Sequence, residues 1–352
     1  MAWGRKKDII GLDIGSSSIK LIELKEGKNG FKLQNLLISP LPPEAIVDGA
    51  LMDSVTIIDT IRDLIANSKT KTKNVVTSVS GHSVIVKKIT LPFMAEAELE
   101  ESIKWEAERH IPFDINDVNI DFQTIGMNSE NQDLMDVVLV AAKKDIINDY
   151  VSVIMETGLI PVIIDIDSFA LENMLGINYE MEKDETVAIA NVGASITNIN
   201  ILKNNVSAFT RDIFKGGNQV TEEIQRQLHI DYEEAEKYKV GSQVDASSQA
   251  TIQKVLKTAS ESLAIEIGNS LDFFQSTSTY EKTHKLYLSG GGSKIKDFDI
   301  ILQQQIGIPV EMVNPFKQIE YSEKIFDHEY LREIGPMMAV GVGLASRKVG
   351  DK

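Results

Sequence analysis

Residues Asp13 to Lys20, D-I-G-S-S-S-I-K, place a carboxylate, a glycine, a run of hydroxyls and an ammonium inside one tight turn. Unobstructed backbone N–H groups can wrap an anion, and Gly15, Ser16, Ser17 and Ser18 offer them. Lys20 can add positive charge, although strand alternation leaves its direction open. Asp13 repels a bare phosphate, so its chemistry is to position a metal ion or the metal's water. A second stretch, N-V-G-A-S-I-T-N from Asn191 to Asn198, repeats the layout, with Gly193, Ser195 and Thr197 as its cradle. Its first residue is an amide, which can accept from a metal-bound water but cannot balance metal charge or take a proton. A third element is Gly290-Gly291-Gly292-Ser293, after a short apolar run and before a helix. Glycines there let a flat group or a phosphate reach the backbone, with a helix N-terminus behind. Taken singly, each stretch also fits an ordinary glycine turn.

Glu234 and Lys237 stand one helical turn apart in E-E-A-E-K-Y-K-V-G. Alone they form a solvated i,i+3 ion pair; beside a nucleotide they become candidates to hold it. His82, His110, His229, His284 and His328 show no metal-binding spacing. Neither a G-x-S-x-G elbow nor a G-x-x-x-x-G-K phosphate loop occurs.

The elements that must position these residues come in two similar sets. Residues 9–12, 18–25 and 31–39 alternate as a β-meander with a turn over 27–30. A helix follows over 53–67, where Val55, Ile58, Ile61, Leu64 and Ile65 share a face, and then a strand over 74–80. Residues 83–158 read as strand, helix, strand, strand, helix, a self-contained α+β unit inserted into the first half, with Gly158 closing its last helix. A strand over 161–167 and a helix over 168–175 return to the first half. The second half opens with a meander over 187–190, 196–202 and 207–213. Helices follow over 219–228, 231–240 and 247–274, then a strand over 285–289, a helix from about 296 and a last helix over 337–348. The repetition predicts a duplicated α/β fold with a nucleotide's phosphate tail held between the halves.

Composition narrows the function classes. With 352 residues, 43% hydrophobic and 25% charged, the chain can bury the cores of two domains. A formal net charge of −16 argues against nucleic acid as a partner and against docking on anionic lipid through a basic surface. The absence of cysteine removes disulfides, thiol catalysis and cysteine zinc sites. The N-terminus M-A-W-G-R-K-K lacks the apolar core of a signal peptide. No run approaches the roughly 18 apolar residues of a membrane helix. The expectation is a soluble cytoplasmic protein without direct membrane insertion.

Taken in order, D-I-G-S-S-S-I-K, N-V-G-A-S-I-T-N, G-G-N-Q-V-T-E-E-I, E-E-A-E-K-Y-K-V-G and L-S-G-G-G-S-K-I resemble the actin-like ATPase superfamily across nearly the whole chain. The insertion resembles the relocated SHS2-type subdomain of its FtsA and PilM branch. Within that branch, D-I-D-S-F-A-L at 165–171 and the segment from Lys88 to Phe113 are similar to the PilM family of type IV pilus assembly.

The resemblance implies two RNase H-like halves with ATP and Mg2+ in the cleft. Asp13, Gly15, Ser16, Ser17 and Lys20 would form the first phosphate loop, with Asp13 reaching magnesium through water. Gly193, Ala194 and Ser195 would form the second, and Gly216, Gly217, Glu234, Lys237, Gly290, Gly291 and Gly292 would enclose the adenosine. Asn191 departs from the superfamily's Asp, which implies at most slow ATP hydrolysis. The implied subdomains are 1A over 1–83 and 161–185, 1C over 84–160, 2A over 186–218 and 285–336, a helical 2B over 219–284, and a C-terminal helix over 337–352 returning to 1A.

The implied partner is the N-terminal cytoplasmic peptide of PilN, held in a groove between 1A and 1C, with residues 83–91 and 161–167 as its borders. That would attach the protein peripherally to the inner membrane through partners. Pilus motor ATPases, the inner-membrane platform and a homo-oligomer or ring are further implied partners. Two other functions fit the same superfold. A small-molecule kinase would need a carboxylate base, for which Asp165 and Asp167 are candidates. An FtsA-like division protein would continue into an amphipathic membrane helix, whereas this sequence ends A-S-R-K-V-G-D-K.

Overall fold

The apolar alternation after Asp8 folds as a meander of β1 (Ile10–Ile14), β2 (Ser18–Gly27) and β3 (Gly30–Pro40). The computed structural model describes residues 8–28, 30–128, 131–241, 246–278 and 282–351. The basic N-terminal stretch, and Asn29 in the expected turn, lie outside the described residues. A two-strand ribbon, β4 (Ile46–Val47) and β5 (Ala50–Leu51), precedes α1 (Ser54–Ser68) and β6 (Asn74–Val79). Helix α1 begins where the Asp53 carboxylate accepts from the Thr56 N–H at 3.0 Å, satisfying a donor the helix leaves open. Its Ile57, Ile58, Ile61 and Leu64 face the core.

The insertion contains β7 (Val84–Pro92), α2 (Glu96–Glu108), β8 (Val118–Met127) and β9 (Leu134–Lys143), its strands paired in the order β7-β9-β8. Leu99, Ile103 and Ala107 of α2 pack with Val137, Leu139 and Ala141 of β9. Helix α3 (Lys144–Glu156) departs from the expected self-contained unit. Its Tyr150, Val153 and Ile154 are buried with Ile57, Ile61 and Leu64 of α1, so its apolar stripe completes the core of the first half. Strand β10 (Ile160–Ile166) and α4 (Asp167–Asn178) return to that half. The first sheet runs β10-β6-β1-β2-β3, antiparallel within the meander and parallel across β1, β6 and β10.

The second half repeats this with β11 (Thr186–Val192), β12 (Thr197–Lys203) and β13 (Val206–Ile213), followed by helices α5 (Gly217–Leu228), α6 (Tyr232–Lys239) and α7 (Ala246–Thr277). Then come β14 (Lys285–Ser289), a 3-10 turn over Gly291–Lys294, α8 (Phe298–Ile306) and β15 (Val310–Met312). The chain closes with α9 (His328–Ile334), a 3-10 turn over Gly335–Met338 and α10 (Ala339–Ala345). The last helix is thus shorter than the sequence pattern predicts. The sheet order is β13-β12-β11-β14-β15, the same order and polarity as the first.

Helices α4 and α10 lie between the two sheets, where Leu171, Leu175, Val342 and Leu344 share one cluster with Ile22 of β2 and Val187 and Ile189 of β11. The approach is backbone on backbone: a Cβ on Gly343 would stand 1.7 Å from the Ala170 carbonyl oxygen. On the outer faces, α1 and α3 cover the first sheet and α5, α7 and α8 the second. No helix among the described residues is long and apolar enough to cross a membrane.

Candidate functional site

The turns of both meanders meet in one cavity of about 280 Å³ between the halves. In the first turn, Asp13 pairs in register with Lys20, and cross-strand partners share a face of the sheet. Both side chains therefore line the cavity, joined by an ion pair at 3.1 Å. The turn closes with the Gly15 N–H donating to the Ser18 carbonyl at 3.2 Å. In the second turn, Asn191 pairs with Asn198 and the Gly193 N–H donates to the Ile196 carbonyl at 2.9 Å. The start of α5 docks on this turn: Gly217 N–H donates to Gly193 O at 2.9 Å and Asn218 N–H to Ala194 O at 2.8 Å. The third wall is the turn after β14, where Gly290 adopts φ +85° and a Cβ would meet the Val192 oxygen at 2.3 Å.

Of the residues singled out in the sequence, the cavity gathers Asp13, Gly15, Ser16, Ser17 and Lys20 from the first turn. It gathers Gly193, Ala194 and Ser195 from the second, and Gly217, Gly290, Gly291 and Gly292 from the adjoining segments. Gly216 stands behind the second loop instead, where a Cβ would meet the Ala194 oxygen at 2.5 Å. Glu234 and Lys237 do not line the cavity; Glu236 and Lys239 do. The stretch E-E-A-E-K-Y-K holds two overlapping E-x-x-K pairs, and a two-residue shift turns a helix by about 200°. Glu234 accepts from the Tyr238 hydroxyl at 2.6 Å and Lys237 is exposed. The burial of Ala235 and Lys239 fixes the phase of α6 and is the signal that selects the second pair.

Lys239 donates to Glu236, to Thr221 Oγ1 at 3.0 Å and to the Gly217 carbonyl at 3.4 Å. Burial holds its ammonium below the usual lysine range. Tyr232, also on the cavity wall, is pushed up to about 12 by desolvation and by the neighbouring Glu236. Asp167 lines the cavity with Ser78, whose hydroxyl donates to its carboxylate at 2.6 Å. Burial, reinforced by the charge of Asp13, raises Asp167 to about 6. Asp165, the other candidate base, lies away from this cavity in a second groove.

The charges show what the cavity can hold. Asp13, Asp167 and Glu236 face Lys20, Lys239 and Lys294, an even balance. A triphosphate would therefore need backbone N–H groups and a divalent cation to neutralise it. No cluster of His, Cys, Asp or Glu among the described residues could hold a metal by itself. A metal here would rely on phosphate oxygens and water, with Asp13 as the carboxylate at hand. The buried Ser18 hydroxyl, which also lines the cavity, has no hydrogen-bond partner among the described residues.

The groove that contains Asp165 has a volume of about 470 Å³. Four consecutive residues of β10, Ile163 to Ile166, line it. A strand shows consecutive residues only from its edge, since alternate side chains point to opposite faces, and β10 is an edge strand. The facing wall is β8, the edge of the inserted sheet, with Val138 and Val140 of β9. None of residues 83–91 lines this groove; Val84, Ile85 and Val86 border a different cavity of about 260 Å³, together with Ile166 and Asp167 of the returning segment. Sheet order, which puts β9 between β7 and β8, decides this.

Residues 11–349 match the family model of the type IV pilus assembly protein PilM. In a solved structure described as the PilM-PilN type IV pilus biogenesis complex, one chain is 31% identical. The match covers 99% of this chain and 100% of that one, with a TM-score of 0.88. The ethanolamine utilization protein EutJ from Carboxydothermus hydrogenoformans is 16% identical over 97% of this chain and 89% of its own, at a TM-score of 0.57. MreB5 of Spiroplasma citri, in a structure with ADP bound, is 16% identical over 93% of this chain and 98% of its own, at 0.51. The fold is the actin-like ATPase fold. The chain belongs to the PilM family of type IV pilus assembly proteins.

Proposed function

We propose that this protein binds ATP with magnesium between its halves and holds the N-terminal cytoplasmic tail of a PilN-type partner. It would thereby link an inner-membrane subcomplex to the cytoplasmic pilus machinery. The convergence of both meander turns and the Gly290–Gly292 turn on one cavity carries the nucleotide half of this proposal. The backbone N–H groups of these turns would cradle the phosphates. Glu236 and Lys239 would meet the nucleoside, in place of Glu234 and Lys237, with Gly217, Gly290, Gly291 and Gly292 around it. Bound magnesium would neutralise phosphate charge, and Asp13 would orient its water.

The second phosphate turn carries Asn191 where a carboxylate would be needed, so turnover should be slow. Nucleotide then acts chiefly on the relation between the halves, and it can do so only by binding their arrangements unequally. The test is a single turnover with Mg-ATP, quenched over time, with ATP and ADP separated. Stoichiometric ATP that persists for hours supports the proposal; rapid conversion overturns the scaffold role of the nucleotide.

For the partner, the groove between β10 and β8 offers two strand edges whose main-chain groups an extended segment can pair with. The Asn173 Nδ2, buried in that groove, has no hydrogen-bond partner among the described residues. It is a donor ready for a bound main-chain carbonyl. Peripheral attachment to the inner membrane would follow from the tail, as would proximity to the motor ATPases and the inner-membrane platform. A ring of copies of this chain is a compatible assembly, and light scattering at graded concentration would detect it.

A further inference from the structure

Carboxylates dominate the walls of the tail groove. Asp121 of β8, Asp165 of β10, Glu172 of α4 and Asp351 face it, and among the described residues Arg347 is the one cation on its lining. Arg347 is shared between two of these carboxylates: its guanidinium stands 3.4 Å from Asp165 and 3.9 Å from Asp351. Among the described residues, no cation lies within ion-pair distance of Glu172. Asp165 is 7% exposed, and its Oδ2, the oxygen that meets Arg347, makes no hydrogen bond among the described residues. Burying carboxylates in this excess is costly unless a positive charge completes the set. Burial raises the Asp165 carboxyl, and it raises Glu172 to about 7. No group of side chains among the described residues has the makings of a metal site. A cation carried by the occupant would supply the missing charge and favour the ionised carboxylates.

We propose that the groove selects a tail bearing a lysine or arginine, and seats that cation between Glu172 and Asp165. The proposal rests on the reading of this groove as the tail site and adds what the site recognises. Main-chain pairing along β10 and β8 would hold the segment without regard to sequence. The carboxylates would set its register, since only one placement brings a cation to Glu172. The formal charge of −16 would also speed the approach of a basic tail at low salt.

The experiment is a double-mutant cycle on the full chain. The probe is a synthetic peptide of the N-terminal cytoplasmic tail of the PilN-type protein from the same source, alone and with each Lys or Arg replaced by Met. Binding is followed by fluorescence anisotropy at low and high salt, against wild type, Glu172→Gln and Gln123→Trp. Gln123 is an exposed wall residue, so a tryptophan there fills the groove without touching the core. Nucleotide affinity serves as the folding control. Glu172→Gln should weaken the wild-type tail about tenfold and flatten its salt dependence. It should have little effect on the one Met-substituted peptide that has lost the anchor. If Gln123→Trp blocks binding while Glu172→Gln leaves it unchanged or fully additive with every peptide change, the cation anchor is wrong and the groove reading stands. If Gln123→Trp leaves binding intact, the tail sits elsewhere and both readings fall.

Discussion

In the first half of the molecule Asp13 stands opposite Lys20; in the second, Asn191 stands opposite Asn198. The setting is the same: an antiparallel pair at a sheet's first two strands, closed two residues later by a glycine N–H bonded three residues ahead. Only the chemistry differs. The first pair is ionic and faces the cavity. The second is neutral and continues into a strut: Asn191 donates to Asn198 at 3.1 Å, Asn198 to Asp212 at 2.8 Å, and the Gly81 N–H of the first half donates to Asp212 at 2.7 Å. One backbone device occurs twice, turning an ion pair toward the cavity in one half and tying the halves together in the other. The returning segments differ in the same sense: β10 and α4 bury Asp165 and half-bury Asp167 and Glu172, while β15 is three residues long and only half-buried.

The largest effect should separate the two turn glycines. A Cβ on Gly193 would stand 2.6 Å from the Ile196 carbonyl oxygen, which is backbone of its own turn. A Cβ on Gly15 would first meet Lys20 Nζ at 3.2 Å, the end of a flexible side chain. Gly193→Val should therefore destabilise by about 3 kcal/mol or more. Gly15→Val should fold but lose nucleotide affinity by about tenfold or more, because its side chain points where phosphate must approach. Thermal melts and a nucleotide titration on both variants check this. Two variants that lose stability equally would break the comparison, and undiminished affinity in folded Gly15→Val would misplace the site.

The charged half should also be the half that sacrifices stability for function. Glu172 has an ordinary carboxyl pKa when unfolded and about 7 when folded. A carboxyl raised by folding costs nothing below the unfolded value, where both states are protonated. The cost grows as pH rises through that window and is complete above the folded value, at about 3 kcal/mol. Asp165 adds repulsion, while the Ser207 N–H opposes the shift. Glu172→Gln should thus melt higher than wild type at pH 8 and equally at pH 4. A gain that does not depend on pH would point to packing instead.

A smaller loss is expected at the ionic pair itself. Asp13→Asn leaves the Lys20 ammonium, with 11% of its side chain exposed, without a countercharge. The cost should be about 2 kcal/mol, reduced by the open cavity. Lys20→Met in the same background should restore most of it, which differential scanning calorimetry would detect. Magnesium-dependent nucleotide binding should stay impaired in the double variant if, as proposed, Asp13 serves the metal's water.

Much of this organisation was legible in the residues. Alternating apolar runs broken by Gly15 and Gly193 announce two hairpins, and their similarity announces the duplication. The glycine run at Gly290 is visible because backbone must approach backbone there. What the residues concealed has identifiable causes. Strands β4, β5 and β15 have two or three residues each, too few for a period. Overlapping E-x-x-K pairs left the phase of α6 undecided until the burial of Ala235 and Lys239 was known. The amphipathic stripe of α3 says that it packs, not against which half. The tail groove depends on β8 and β10 being edge strands, and edge position belongs to sheet order, which is long-range.

The smallest expected change tests the comparison most sharply, because it makes the second pair resemble the first. Asn191→Asp places a carboxylate on the cavity wall at the step equivalent to Asp13. It also removes the amide hydrogen that Asn198 now accepts. Asn198 could turn its own amide toward the new charge, but that amide already serves Asp212. The strut must weaken at one of its links, at a cost of about 1 kcal/mol. If a missing carboxylate is what slows hydrolysis, single-turnover conversion of ATP should rise about tenfold while melting temperature falls slightly. Faster turnover would mean that the second turn keeps the geometry for hydrolysis and lacks only the charge. If turnover is unchanged in a variant that still binds nucleotide, the neutral pair is there for the strut. The two turns would then share a backbone and no part of the chemistry.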